Sequence, residues 1–150
     1  MKYDRLHQQI NCAIHRFFYD PEEQVYRTRT GCDDKVHHQL TQALALYVGA
    51  VPNDLTQIVT DNMISGEMVP CTLSGSIYKY EALLRQGNRY QKFVKEEIEQ
   101  IWGRMLFSGA TTFWETEAGA SDFEDAGSLC HGWSAVPVYL YGKYDFLRRN

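Results

Sequence analysis

The feature that most constrains this chain is a series of six apolar runs at helical spacing, separated by Gly, Pro, Asn and Asp. The first is Tyr3, Leu6, Ile10, Ala13, Ile14 and Phe17, closed by Asp20-Pro21. Steps of three and four residues put such side chains on one face of a helix. The second run is Val36, Leu40, Ala43, Leu44 and Tyr47, with Asp33 and Asp34 as candidate caps and Gly49 and Pro52 at its end. Asn53 is then placed to cap a short third helix through Leu55, Ile58, Val59 and Met63, which Gly66 stops.

Beyond Pro70, Ser74 or Ser76 is expected to cap a fourth helix through Ile77, Tyr80, Leu83 and Leu84. Gly87 suits the left-handed residue that ends many helices, and Asn88 starts the next one. The fifth runs through Tyr90, Phe93, Val94, Glu97, Ile98, Ile101 and Met105, and the sixth through Leu129, Trp133, Val136, Leu140 and Tyr144. Pro137 lies inside that last run, where its missing N–H predicts a kink. The alternation in Val25–Thr30 predicts a loop or a minor extended segment. About six helices joined by short turns predict an all-α fold of antiparallel hairpins in one domain over residues 1–150, arranged as a bundle or as part of a solenoid or toroid. No fixed-period repeat selects a tetratricopeptide or ankyrin array.

Charge narrows the partners. Nineteen Asp and Glu against 15 Lys and Arg give a formal charge of −4, with no basic stripe to track a phosphate backbone, so no nucleic acid is expected. A neutral or sugar-like ligand suits this balance better. Cys12, Cys32, Cys71 and Cys130 form no C-x-x-C pair, and free, partly buried thiols are expected. His37 and His38 are adjacent and so diverge on a helix surface, which argues against a metal, and no cofactor motif stands out. The absence of an apolar leader or a long apolar span makes a soluble, cytoplasmic chain without membrane association the expectation.

One connector is out of proportion. Ser108 to Gly127 spans roughly 20 residues where the other turns are short, and such a loop calls for a reason. It holds Glu115, Glu117, Asp122, Glu124 and Asp125 beside Phe113, Trp114 and Phe123, and His131 follows. Carboxylates next to aromatic faces suit sugars, because rings cover the apolar face of a pyranose while carboxylates bind hydroxyls or move protons. The ordinary readings are structural. Asp122, Glu124 and Asp125 are expected to face the N-terminal end of the sixth helix or solvent, Glu117 to be a surface acid, and Trp102 and Trp133 to pack in the core.

Gly109-Ala110-Thr111-Thr112-Phe113-Trp114-Glu115, followed by Ser128-Leu129-Cys130-His131-Gly132-Trp133-Ser134-Ala135, resembles the end of the catalytic domain of bacterial α-L-rhamnosidases and their six-hairpin glycosidase relatives. There a Thr-Thr-x-Trp-Glu segment precedes a Ser-x-x-His segment at the final barrel helix. Gln39–Pro52, ending Gly-Ala-Val-Pro, and Ser74–Tyr78 extend the likeness, which covers about residues 12–147.

This resemblance implies half of an (α/α)6 toroid and a carbohydrate, rhamnoside-like substrate. It implies Glu115, and Glu115 only, as the general base of an inverting hydrolysis; Trp114 and His131 are expected to line the sugar subsite. Inversion also needs an acid carboxyl about 6.5–9.5 Å from the base, and no segment here resembles the family's acid-bearing motif. Half a toroid would leave inner faces open, so a homo-oligomer or membership of a larger chain is expected. The rival class is a non-catalytic sugar-binding or interaction module. A toroidal polysaccharide lyase using Tyr and His is the third possibility, though the Trp-Glu pair is the better-marked feature.

Overall fold

The computed structural model describes residues 2–31 and 35–145. Cys32, Asp33 and Asp34, expected above as a thiol and as helix caps, lie outside the described residues. Two compact units divide the chain, Met1–Cys71 and Thr72–Asn150.

In the first unit, α1 (Lys2–Phe18) leads into a hairpin of β1 (Tyr19–Asp20) and β2 (Val25–Tyr26), followed by α2 (Gln39–Tyr47) and α3 (Thr56–Ile64). Tyr19 faces Tyr26 and Asp20 faces Val25 across the antiparallel pair, so the alternating stretch does become a minor extended segment. The Asp20 carboxylate accepts the N–H of Glu22 at 2.9 Å and the Arg27 Nη2 at 2.6 Å. Asp20-Pro21 therefore builds the hairpin turn as well as ending the helix. Tyr26, Ala45, Val51 and Val59 form the core, with Ile14 and Phe18 of α1 packed on it. Full burial of a side chain such as Val59 stabilises by about 1.5–3 kcal/mol.

Gln42 is fully buried, and its amide accepts the Tyr26 N–H at 2.7 Å and donates to the Tyr26 carbonyl at 2.8 Å. One side chain thus does for β2 what a neighbouring strand would do. On α1 only part of the apolar stripe is used: Tyr3, Leu6, Ile10 and Phe17 are exposed. Gly49 and Gly66 end α2 and α3 at φ +75° and +88°, as their positions predicted. Asn53 does not cap α3. The turn before it is closed instead by Leu55 N–H and Thr56 Oγ1 donating to the Pro52 carbonyl at 3.0 and 3.1 Å.

The second unit holds α4 (Ser76–Leu84), α5 (Gln91–Phe107), a single turn α6 (Asp122–Asp125) and α7 (Val136–Lys143). The architecture is all-α, with seven helices among the described residues. Neither Ser74 nor Ser76 caps α4, because the Ser76 hydroxyl donates backwards to the Leu73 carbonyl at 2.6 Å. Gly87 adopts φ +99° at the expected stop. Helix α4 is buried beyond its apolar stripe, taking in Lys79 and Glu81. Each is neutralised from a neighbouring helix: Lys79 Nζ donates to Glu97 of α5 at 2.9 Å, and Lys143 Nζ of α7 donates to both Glu81 oxygens at 2.8 Å. A buried charge is tolerable only when paired in this way.

The last expected helix requires correction. It begins at Val136, not near Leu129, and Pro137 sits in its first turn, where no intrahelical N–H is needed. No kink arises. Because the helix starts late, Trp133 falls in a 3-10 turn (Gly132–Ser134) ahead of it and is 80% exposed, not packed in the core. Trp102 does pack, at 6% exposure. Cys12 and Cys130 are free and exposed, and Cys71 is free and half-buried, so two of the thiols are more open than expected. No helix among the described residues is long and apolar enough to cross a membrane.

Candidate functional site

The connector after α5 folds into an irregular ribbon against the segment leading to α7. The His131 N–H donates to the Phe113 carbonyl at 2.7 Å, and the Glu115 N–H donates to the Ser128 carbonyl at 2.9 Å. The Thr112 hydroxyl donates to the Leu129 carbonyl. Between the two backbone hydrogen bonds the second arm carries one more residue than the first. The ribbon brings the Glu115 arm and the His131 arm side by side. The Glu115 carboxylate bends back over it, its Oε2 accepting the Ser128 N–H at 3.4 Å. Trp114, Glu115 and His131 are all half-buried.

Trp114 is seated by a glycine. Gly119 is buried at φ +61°, and a Cβ there would stand 2.7 Å from Trp114 Cε3. The indole can lie close only because that backbone is bare. Gly127 plays a matching part, since a Cβ on it would lie 1.9 Å from the Gly119 carbonyl oxygen. Between the two glycines, Phe123, Glu124 and Asp125 take left-handed φ values of 51°, 59° and 65°. Each such residue costs about 1–2 kcal/mol. Glu124 and Asp125 are exposed and Asp122 is half-buried. With α7 starting only at Val136, Glu124 and Asp125 take the solvated alternative. Glu117 is exposed as expected and ion-paired with Arg104.

One hydrogen bond ties the second arm to α5, and a second closes the turn that carries it. Trp102 Nε1 of α5 donates to the Ser134 carbonyl at 2.9 Å, and the Ser134 N–H donates to the His131 carbonyl at 3.0 Å. On the first arm, Thr111, Thr112 and Phe113 line an apolar cleft of about 430 Å³ shared with Trp102, Met105 and Pro137. Glu115 and His131 do not line that cleft. Its lining is mostly apolar with a few polar side chains, Glu99, Thr111, Thr112 and Tyr141, while the residues expected to act on a sugar lie on the ribbon instead.

Sequence reasoning missed the exposure of Trp133, which it assigned to the core, Gly119 beneath Trp114, and the Trp102–Ser134 hydrogen bond. Gly132 and Pro137 carried a usable signal, since together they mark a turn and a helix start rather than a continuous helix.

Residues 1–144 match the family described as bacterial alpha-L-rhamnosidase 6 hairpin glycosidase domain. Among solved structures, the chain is similar to a GH78 family rhamnosidase of Bacillus sp. GL1, with 26% identity and a TM-score of 0.75 over 89% of this chain and 15% of that one. It is also similar in fold to a rhamnosidase from Klebsiella oxytoca with rhamnose bound, with 22% identity and a TM-score of 0.72 over 94% of this chain and 29% of that one. The chain thus spans less than a third of the length of either solved rhamnosidase. Among curated proteins, none matches. Helical hairpins, the Thr-Thr-Phe-Trp-Glu arm and the match over residues 1–144 converge on one statement: the chain belongs to the bacterial α-L-rhamnosidase six-hairpin glycosidase domain family.

Proposed function

We propose that this chain carries the general-base side of an inverting α-L-rhamnoside hydrolysis, with Glu115 as the base and Trp114 and His131 lining the sugar subsite. The observation that carries the reading is the backbone pairing of Phe113 with His131 and of Glu115 with Ser128, which joins a carboxylate, an imidazole and an indole on one ribbon. In such a reaction the base removes a proton from water as the oxygen attacks the anomeric carbon. A separate acid, about 6.5–9.5 Å from the base, protonates the departing oxygen. Only the base is assigned to this chain.

Inversion leaves a stereochemical record. Proton NMR of an aryl α-L-rhamnoside during hydrolysis is expected to show β-L-rhamnose first, with the α-anomer appearing only by mutarotation. First release of the α-anomer would overturn the inverting role. The unassigned acid supports a second reading, a sugar-binding module without turnover. Calorimetric titration with rhamnose-containing oligosaccharides separates the two, because saturable binding without released sugar favours the module.

A further inference from the structure

Trp133 is a residue that the proposed reaction leaves unused and that no contact among the described residues buries. Its side chain is 80% exposed, which puts most of an indole in water at an evident hydrophobic cost. Exposure on a loose loop would mean little, but this backbone is fixed. Ser134, the next residue, is fully buried, and its carbonyl takes the Trp102 Nε1 hydrogen bond at 2.9 Å. The turn closes on itself as the Ser134 N–H donates to the His131 carbonyl at 3.0 Å and the Ala135 N–H donates to the Gly132 carbonyl at 3.1 Å. Gly132 adds no side chain between His131 and the indole. A large aromatic face is thereby held out by a buried anchor, two residues beyond His131 on the same arm.

We propose that Trp133 is a stacking platform for a pyranoside ring bound over the ribbon, with Trp102 as the positioning residue that holds its turn. The inference rests on the rhamnoside reading above and extends its subsite by one residue. The ligand class follows from the chemistry. An exposed indole offers a flat apolar face to the C–H face of a sugar, while the half-buried Glu115 and His131 supply polar partners on the same ribbon. Deoxyhexosides such as rhamnose, whose C6 is a methyl group, present more apolar surface than their hydroxylated counterparts and suit such a platform.

The test is a fluorescence titration of the full chain with methyl α-L-rhamnopyranoside. Saturable binding is expected for the wild type, with Trp133→Ala weakening it about tenfold. Trp133→Tyr, which keeps an aromatic face, is expected to recover most of that loss. An exposed side chain contributes little to stability, so the melting temperature of Trp133→Ala should match the wild type. Trp102→Phe keeps an aromatic ring in the core but removes the donor, and should weaken binding without replacing Trp133. Wild-type affinity in Trp133→Ala would overturn the platform while leaving the rhamnoside reading standing. Absence of saturable binding by the wild type would overturn both.

Discussion

Trp102 and Ser134 are joined by a buried 2.9 Å hydrogen bond from the indole Nε1 to a backbone carbonyl. Through it a core residue of α5 fixes the turn that follows His131. In Trp102→Phe that carbonyl stays buried without its donor. The expected cost is about 1–3 kcal/mol, read as a lower urea midpoint with an unchanged slope. An unchanged midpoint would mean that the turn is held by other contacts.

Gly119 sets the position of Trp114. In Gly119→Ala the added methyl would meet the indole at 2.7 Å, on a backbone at φ +61° that L-residues adopt at a cost. Overpacking and the left-handed backbone together predict a loss of about 1–3 kcal/mol. The near-ultraviolet circular dichroism of Trp114 should change with it. An unaltered near-ultraviolet spectrum and stability would show that the indole is not held against that glycine.

Much of the helical scaffold is legible in the sequence, because Gly49, Gly66 and Gly87 all take positive φ where the apolar runs stop. The start of α7 is not, because Leu129, Trp133, Val136 and Leu140 happen to fall at helical spacing. There the backbone chemistry of Gly132 and Pro137 outweighs the pattern, and Trp133 moves from the core to the surface. The burial of Lys79 and Glu81 is equally hidden, since their partners Glu97 and Lys143 lie on other helices. At the candidate site, the family resemblance more than residue type pointed to Trp114, Glu115 and His131, and the pairing of their arms is made by backbone groups, which leave no mark in side-chain identity.

Asp20 gives the first unit an acid-sensitive contact. The Arg27 guanidinium beside it holds its carboxyl below the usual range, with the N–H groups of Glu23 and Glu22 adding to the effect against the opposing influence of burial. A carboxyl depressed on folding contributes stability above its unfolded pKa of about 3.9 and loses it as pH falls through the folded value. Asp20→Asn is therefore expected to lower the urea midpoint at pH 7 and to narrow its gap from the wild type below pH 4. A gap that stays constant over that range would rule out the linkage.

The rate of aryl α-L-rhamnoside hydrolysis by Glu115→Gln, measured beside the wild type, tests the central claim most directly. Glutamine keeps the size and the hydrogen-bonding oxygen of the side chain but cannot take a proton. A loss of about 100-fold or more is expected, with far-ultraviolet circular dichroism and melting temperature unchanged. Turnover by Glu115→Gln at the wild-type rate would contradict the assignment of Glu115 as the base.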